Sequence, residues 1–261
     1  MIDYEMIEAR RDEFRDSFRC ASPFPHVTFN GLYEPEALRE AAQHFPTVAE
    51  MNIHFKSRHE FKAAQSDLST VHPALRAAFD ELNSERFVSW LSYVTDLPEL
   101  LTDPTNLGGG LHQSGRGMYL DVHADFNRHT QNDWFRQLNV LVYLNDDWRH
   151  EWGGVLQLWD KDMTAAEVSV LPLFNHTVIF RTSSDSFHGY DTIEVPDGVM
   201  RRSLAAYYYT SAAPEDYAGV DHTTKFMARP GQEVRHVRGE GLKDATRRGK
   251  HALAKALGRR G

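Results

Sequence analysis

The stretch "RQLNVLVYLNDDW", residues 136–148, alternates between apolar runs and turn-forming residues, and it sets the fold class. Val, Leu and Tyr make it a short strand-like run, and Asn and Asp close it as a turn signal. Similar runs recur on both sides: "GGVLQLWD" (153–160), "HTVIFRT" (176–182) and "RRSLAAYYYT" (201–210), separated by Asn, Asp, Gly and Pro clusters. Regularly spaced short strands predict an all-β sandwich or barrel over residues 108–213.

Upstream the pattern becomes helical. Residues 5–19 place Met6, Ile7, Phe14 and Phe18 among charges at helical spacing, and residues 34–45 begin with Pro35 in a first turn. Two further helices are expected at 72–83 and 84–96, with Asn83-Ser84 as a cap between them and Phe87, Trp90, Leu91 and Val94 as an apolar stripe. "HVTF" (26–29) reads as a short strand, and the polar segment 51–68 as a long loop. Helices followed by strands, without βαβ alternation, give an α+β protein. The expected division is a mainly helical support region over 1–100, a β core over 101–229 and a basic tail over 230–261, all within one domain.

Composition narrows the function classes. The 261 residues carry a net charge of −8, with 41% hydrophobic and 25% charged residues, ordinary for a globular protein. From Pro230 onward nine Lys/Arg face three Asp/Glu, leaving twenty against thirty-four in the rest. An acidic body of this kind is not expected to bind nucleic acid. There is no apolar run of membrane-spanning length and no apolar leader, so a cytoplasmic protein is expected. Cys20 is the single cysteine, which rules out an intrachain disulfide and a Cys-based metal site.

The chemistry concentrates in "YLDVHADFNRH" (119–129). In a strand, Asp121, His123 and Asp125 stand two apart and share one face, where unpartnered charges are costly. His123 and Asp125 at a strand end can take adjacent vertices of a metal site. His188, after the apolar strand 176–181, could supply a third ligand across the barrel. Two His and one carboxylate form the facial triad of non-haem Fe(II) sites. Alone, His-x-Asp arises by chance in a chain with fourteen His, and surface or structural histidine is the competing reading. Arg201 and Ser203 share a strand face, and an inward guanidinium needs an anion: the distal carboxylate of a dicarboxylate, or an internal Asp or Glu.

Taken in order, "GGGLHQ" (108–113), "HADF" (123–126), "LNVLVYLNDDW" (138–148), "GGVLQLWD", "SFHGY" (186–190) and "RRSLAAYYYT" closely resemble the Fe(II)/2-oxoglutarate-dependent dioxygenases, particularly the prolyl 4-hydroxylase-like branch, over roughly residues 100–213. The resemblance implies a double-stranded β-helix, or jelly roll, with supporting N-terminal helices. It implies His123, Asp125 and His188 as iron ligands and as the catalytic centre. Arg201, assisted by Ser203, would hold the 2-oxoglutarate distal carboxylate, and Tyr143, Asn139 and Gln113 become cosubstrate-binding candidates. Collagen-type prolyl hydroxylases use Lys where this chain has Arg201, which weakens the inference of a collagen-like substrate.

The implied reaction hydroxylates an unactivated C–H bond while 2-oxoglutarate and O2 become succinate and CO2, with ascorbate in support. The substrate would be a prolyl or other amino-acid side chain of a peptide or protein, or a small metabolite. A non-catalytic jelly-roll module for a sugar or peptide is the alternative; a Zn-dependent cupin-like hydrolase fits less well, since its ligand pattern is missing. His112 could also reach the cosubstrate. Asp121 reads as support, and Arg128 and His129 as part of a solvated loop over the site.

Overall fold

A computed structural model describes residues 1–232. The basic tail, from residue 233 on, lies outside the described residues. Residues 1–231 form one compact unit, and among the described residues no helix is long and apolar enough to cross a membrane.

Among the described residues five α-helices form, α1 (Tyr4–Ala9), α2 (Arg11–Cys20), α3 (Pro35–Gln43), α4 (Pro73–Leu82) and α5 (Glu85–Thr95). The first helical pattern is thus broken at Arg10, which caps α1 and precedes α2. Pro35 and Pro73 occupy the first turns of α3 and α4, where a missing N–H costs nothing. Ser84 caps α5 by accepting the Phe87 N–H at 3.2 Å.

Thirteen strands among the described residues make one curled antiparallel sheet: β1 (His26–Asn30), β2 (Ile53–Lys56), β3 (Glu60–Gln65), β4 (Leu101–Thr102), β5 (Gly110–Ser114), β6 (Tyr119–Ala124), β7 (Phe135–Tyr143), β8 (Leu156–Trp159), β9 (Ala166–Val170), β10 (His176–Arg181), β11 (His188–Tyr190), β12 (Arg201–Thr210) and β13 (Lys225–Phe226). The strand order is β1-β10-β7-β12-β5-β3-β6-β11-β8-β9, with β2 on β3, β4 on β12 and β13 on β6. This is the jelly-roll core of an α+β protein.

Alternation along β7 and β12 separates the two faces. Leu138, Val140, Val142, Leu204, Ala206 and Tyr208 join Phe87, Trp90, Leu91 and Val94 in the core beneath the helices. Asn139, Tyr143, Arg201 and Ser203 therefore point the other way, into the curl of the sheet.

The segment expected to be a loop departs most from its sequence reading. Residues 53–65 form the β2–β3 hairpin, and β3 is inserted between β5 and β6. Both faces of this hairpin mix polar and apolar residues, so no clean period-two pattern marks it.

Candidate functional site

His123 of β6 and His188, the first residue of β11, are direct register partners in adjacent strands. The third candidate ligand thus comes from the neighbouring strand rather than from across the barrel. Asp125 follows the end of β6. One donor atom from each of the three lies within 4.8 Å of the others. The His123 and His188 Nε2 atoms are each 3.6 Å from an Asp125 carboxylate oxygen. Their Nδ1 atoms lie 2.9 Å from the Asp121 carbonyl and 3.0 Å from the Ser186 carbonyl. A carbonyl only accepts, so both Nδ1 atoms carry the hydrogen and both Nε2 lone pairs face the space beside Asp125. Burial, then the neighbouring His123, pulls the His188 pKa down to about 3, which keeps that ring neutral and able to bind a cation.

Close approach of β11 to β6 depends on Gly189. A Cβ there would meet the Leu120 carbonyl at 2.8 Å, the Asp121 carbonyl at 2.9 Å and Val122 Cα at 2.9 Å. The register between these strands is irregular: His188 faces His123 but Tyr190 faces Leu120, so β6 holds one extra residue across this span.

The Asp125 carboxylate is itself held. Asn139 donates to Oδ2 at 2.8 Å, and the Arg136 guanidinium lies 3.0 Å from the same oxygen. Arg136 also donates to Asn139 Oδ1 at 2.7 and 3.0 Å and stacks on the rings of Tyr207 and Phe126. Burial alone would raise the Asp125 carboxyl, yet Arg136 and the two histidines hold it well below the usual carboxylate range. Arg136 escaped the sequence reading because strict alternation places it on the face opposite Asn139. The β7–β12 register shifts between Tyr208 and Tyr209, so Tyr209 faces Arg136 while Tyr207 faces Asn139. The bulge turns Arg136 inward.

Deeper in the curl, Arg201 is 6% exposed. Its Nε donates to the Gly154 carbonyl at 2.7 Å and an Nη to the Tyr143 hydroxyl at 3.0 Å, and the guanidinium stacks over the rings of Tyr190 and Tyr143. Gly154, at φ +65°, adopts a backbone that a side chain would strain, and this turn aims its carbonyl at Arg201. Among the described residues no carboxylate comes within ion-pair range of Arg201, so the internal Asp or Glu partner is absent. Ser203 sits in register with Tyr143 and with His112. A buried cation without an anion, beside three converging metal-type donors, suits a metal ion and an anionic cosubstrate.

Comparison with known proteins agrees. Residues 109–209 match the 2OG-Fe(II) oxygenase superfamily. The chain carries a 2OG-Fe(II) oxygenase domain. This family uses Fe(II), 2-oxoglutarate and O2. Among solved structures, a Pseudomonas putida prolyl-4-hydroxylase superposes with a TM-score of 0.52 at 16% identity, covering 76% of this chain and 98% of that one. A Trichoplax adhaerens prolyl hydroxylase, in complex with a hypoxia-inducible-factor peptide, gives 0.53 at 15%, covering 79% and 93%. HygX from Streptomyces hygroscopicus, with nickel, 2-oxoglutarate and hygromycin B bound, gives 0.52 at 13%, covering 80% and 97%. At these identities the likeness is one of fold. No curated protein matches the sequence significantly.

Within the oxygenase domain the remaining sequence-derived candidates divide. Tyr143 reaches Arg201, whereas Asn139 is engaged by Asp125 and Arg136. Gln113 is a correction: it pairs in register with Arg202 and Ala63, so it lies on the face of β5 opposite His112 and Ser114 and points away from Arg201. Asp121 does not join the donor set. Its carboxylate meets His59 at 3.1 Å and Arg229 at 3.6 Å, and only its backbone carbonyl supports His123. His129 is not solvated; it is buried, accepts the Gln131 and Asn132 N–H groups at Nδ1, and sets Nε2 3.2 Å from Asp103. It anchors the 127–134 loop. Arg128 pairs with Asp133 and Asp221 at the surface.

Proposed function

We propose that His123, Asp125 and His188 hold Fe(II), that Arg201 with Tyr143 and Ser203 grips the distal carboxylate of 2-oxoglutarate, and that the enzyme hydroxylates an amino-acid side chain or a small metabolite. The observation that carries this assignment is one buried face with two imidazole Nε2 lone pairs and a carboxylate at one end and, at the other, a guanidinium without an ion-pair partner among the described residues. Together, Fe(II), 2-oxoglutarate and O2 supply the oxidant for C–H hydroxylation, with succinate and CO2 as co-products.

The chain's own residues bind and orient. The Asp121 and Ser186 carbonyls fix both imidazole tautomers, which keeps Nε2 available without a proton to lose. Arg136 and Asn139 fix one oxygen of Asp125 and leave the other for the ion. Arg201 supplies charge at one point and Tyr143 a hydroxyl beside it, so the two would hold a carboxylate of the cosubstrate. The aromatic rings of Tyr143 and Tyr190 against Arg201 exclude water from that end.

A prolyl residue in a peptide is one substrate this reading admits. The similar folds include one bound to a peptide and one bound to hygromycin B. A non-catalytic binding module leaves both the donor set and the uncompensated Arg201 without a purpose. The test is succinate release from 2-oxoglutarate by purified protein with Fe(II), ascorbate and O2. Succinate that depends on added Fe(II) and is lost in His123→Ala supports the reading. Folded wild type that neither binds 2-oxoglutarate nor releases succinate refutes it.

A further inference from the structure

The β2–β3 hairpin introduces a charge that neither iron nor 2-oxoglutarate binding uses. On a chain of net charge −8 it carries Lys56, Arg58 and Lys62 against a single acid, Glu60. β3 lies between β5 and β6, and Ala64 is in register with His112, so Lys62 shares the inward face with His112, Ser203 and Arg201. Phe55, in register with Lys62, sets its ring 4.9 Å from Nζ. The Lys62 side chain is only 13% exposed, and among the described residues its one ion-pair partner, Glu60, is 3.5 Å away. That exceeds the 2.7–2.9 Å of a charge-assisted hydrogen bond, so Glu60 holds the ammonium loosely and leaves donors to spare.

Burial pulls the Lys62 ammonium below its usual range, while Glu60 and then Asp125 oppose that shift. Its charge is also felt by His112, whose pKa falls to about 3 through burial and then Lys62. Lys62 therefore stands within electrostatic reach of the candidate iron site, on a separate strand from Arg201. Nearby, the Arg58 Nε is buried without a hydrogen-bond partner among the described residues.

Resting on the oxygenase reading above, we propose that Lys62 is a substrate-binding residue and that the substrate to be hydroxylated carries an oxyanion, a carboxylate or a phosphate, which Lys62 takes while the cationic hairpin draws it in. An oxyanion on Nζ satisfies the free donors and restores the charge that burial disfavours. Electrostatic attraction by Lys56 and Arg58 raises the local concentration of an anionic substrate against the acidic body.

The test uses protein loaded with Fe(II) and 2-oxoglutarate under nitrogen, titrated calorimetrically with inorganic phosphate and, separately, with acetate. At least one anion binds, and the better of the two names the group. Lys62→Met weakens that binding at least tenfold, and Lys62→Arg retains it within threefold; circular dichroism checks that both variants fold. Failure of both anions to bind wild type overturns the proposal. So does binding that survives in Lys62→Met, since the anion then sits on the metal or elsewhere. Succinate release by wild type is measured alongside. Its absence sinks the oxygenase reading, whereas succinate release without Lys62-dependent anion binding sinks only the role of Lys62.

Discussion

Gly189→Ala is expected to separate the two histidines of the donor set. Gly189 follows His188 directly, and a methyl group there would meet three backbone atoms of β6 at 2.8–2.9 Å. Backbone atoms cannot rotate aside as a side-chain tip can, so β11 must withdraw from β6 and take His188 with it. Overpacking of this kind costs about 1–3 kcal/mol, and three simultaneous backbone contacts put this case at the upper end, about 3 kcal/mol. For a unit of this size that is roughly 6–12 °C in Tm. Disturbing the support of a metal ligand typically lowers affinity about 10–100-fold, and here the ligand itself moves, so at least about tenfold is expected.

A matched control makes the test specific. Gly198 sits at φ +85° with nothing within 4 Å of a built Cβ. Gly198→Ala thus meets backbone strain of about 1–2 kcal/mol but no clash, and it lies away from the β6–β11 pairing. Differential scanning fluorimetry reads stability, and anaerobic titration with Fe(II) reads affinity. Both variants lose stability and only Gly189→Ala loses iron. Wild-type iron affinity in Gly189→Ala, or equal losses in the two variants, would refute the argument that strand approach at Gly189 sets the donor geometry.

Three further outcomes follow from the site. Arg136→Met leaves Asp125 without its buried partner and should cost the metal-free protein about 3 kcal/mol in urea unfolding, with the gap narrowing under saturating Mn(II) because the ion takes over the neutralisation. Arg201→Gln should raise the KM for 2-oxoglutarate roughly thirtyfold, about 2 kcal/mol, with iron affinity within about threefold; Arg202→Ala, on the helix side against Phe45, should leave that KM unchanged in the same assay. Asp121→Asn should leave iron affinity within about threefold by titration, since its carboxylate engages only partly exposed partners, worth about 0–1 kcal/mol.

Much of this was legible in the sequence. The runs at 136–148, 153–160, 176–182 and 201–210 all became strands of the curled sheet, and the Phe87, Trp90, Leu91, Val94 stripe became the helix side of its core. Arg201 and Ser203 fell on the inward face, as alternation required, because β12 pairs with β5 without interruption between them. The β2–β3 hairpin was hidden because it is lined inward by Lys62 and Glu60 as well as Phe55, so its buried side does not look buried in sequence. His129 was hidden because its partner, Asp103, lies 26 positions away, on no motif and no common strand.

The strands around the donor set break register in two places. Period-two reasoning assigns faces by parity, and a single extra residue in a strand inverts parity beyond it. Across β6, His123 pairs with His188 but Leu120, three residues back, pairs with Tyr190, two residues on. Within that span the Asp121 carboxylate meets His59 and Arg229 and its carbonyl meets His123 Nδ1. Across β7, Asn139 and Arg136, three apart, face Tyr207 and Tyr209, two apart, and Arg136 is brought onto the Asn139 face. The irregularity in β7 delivers the cation that holds Asp125 ionised. A regular β7 from the same sequence would leave Asp125 without Arg136. The donor set therefore depends on where the strands break register as much as on which residues they carry.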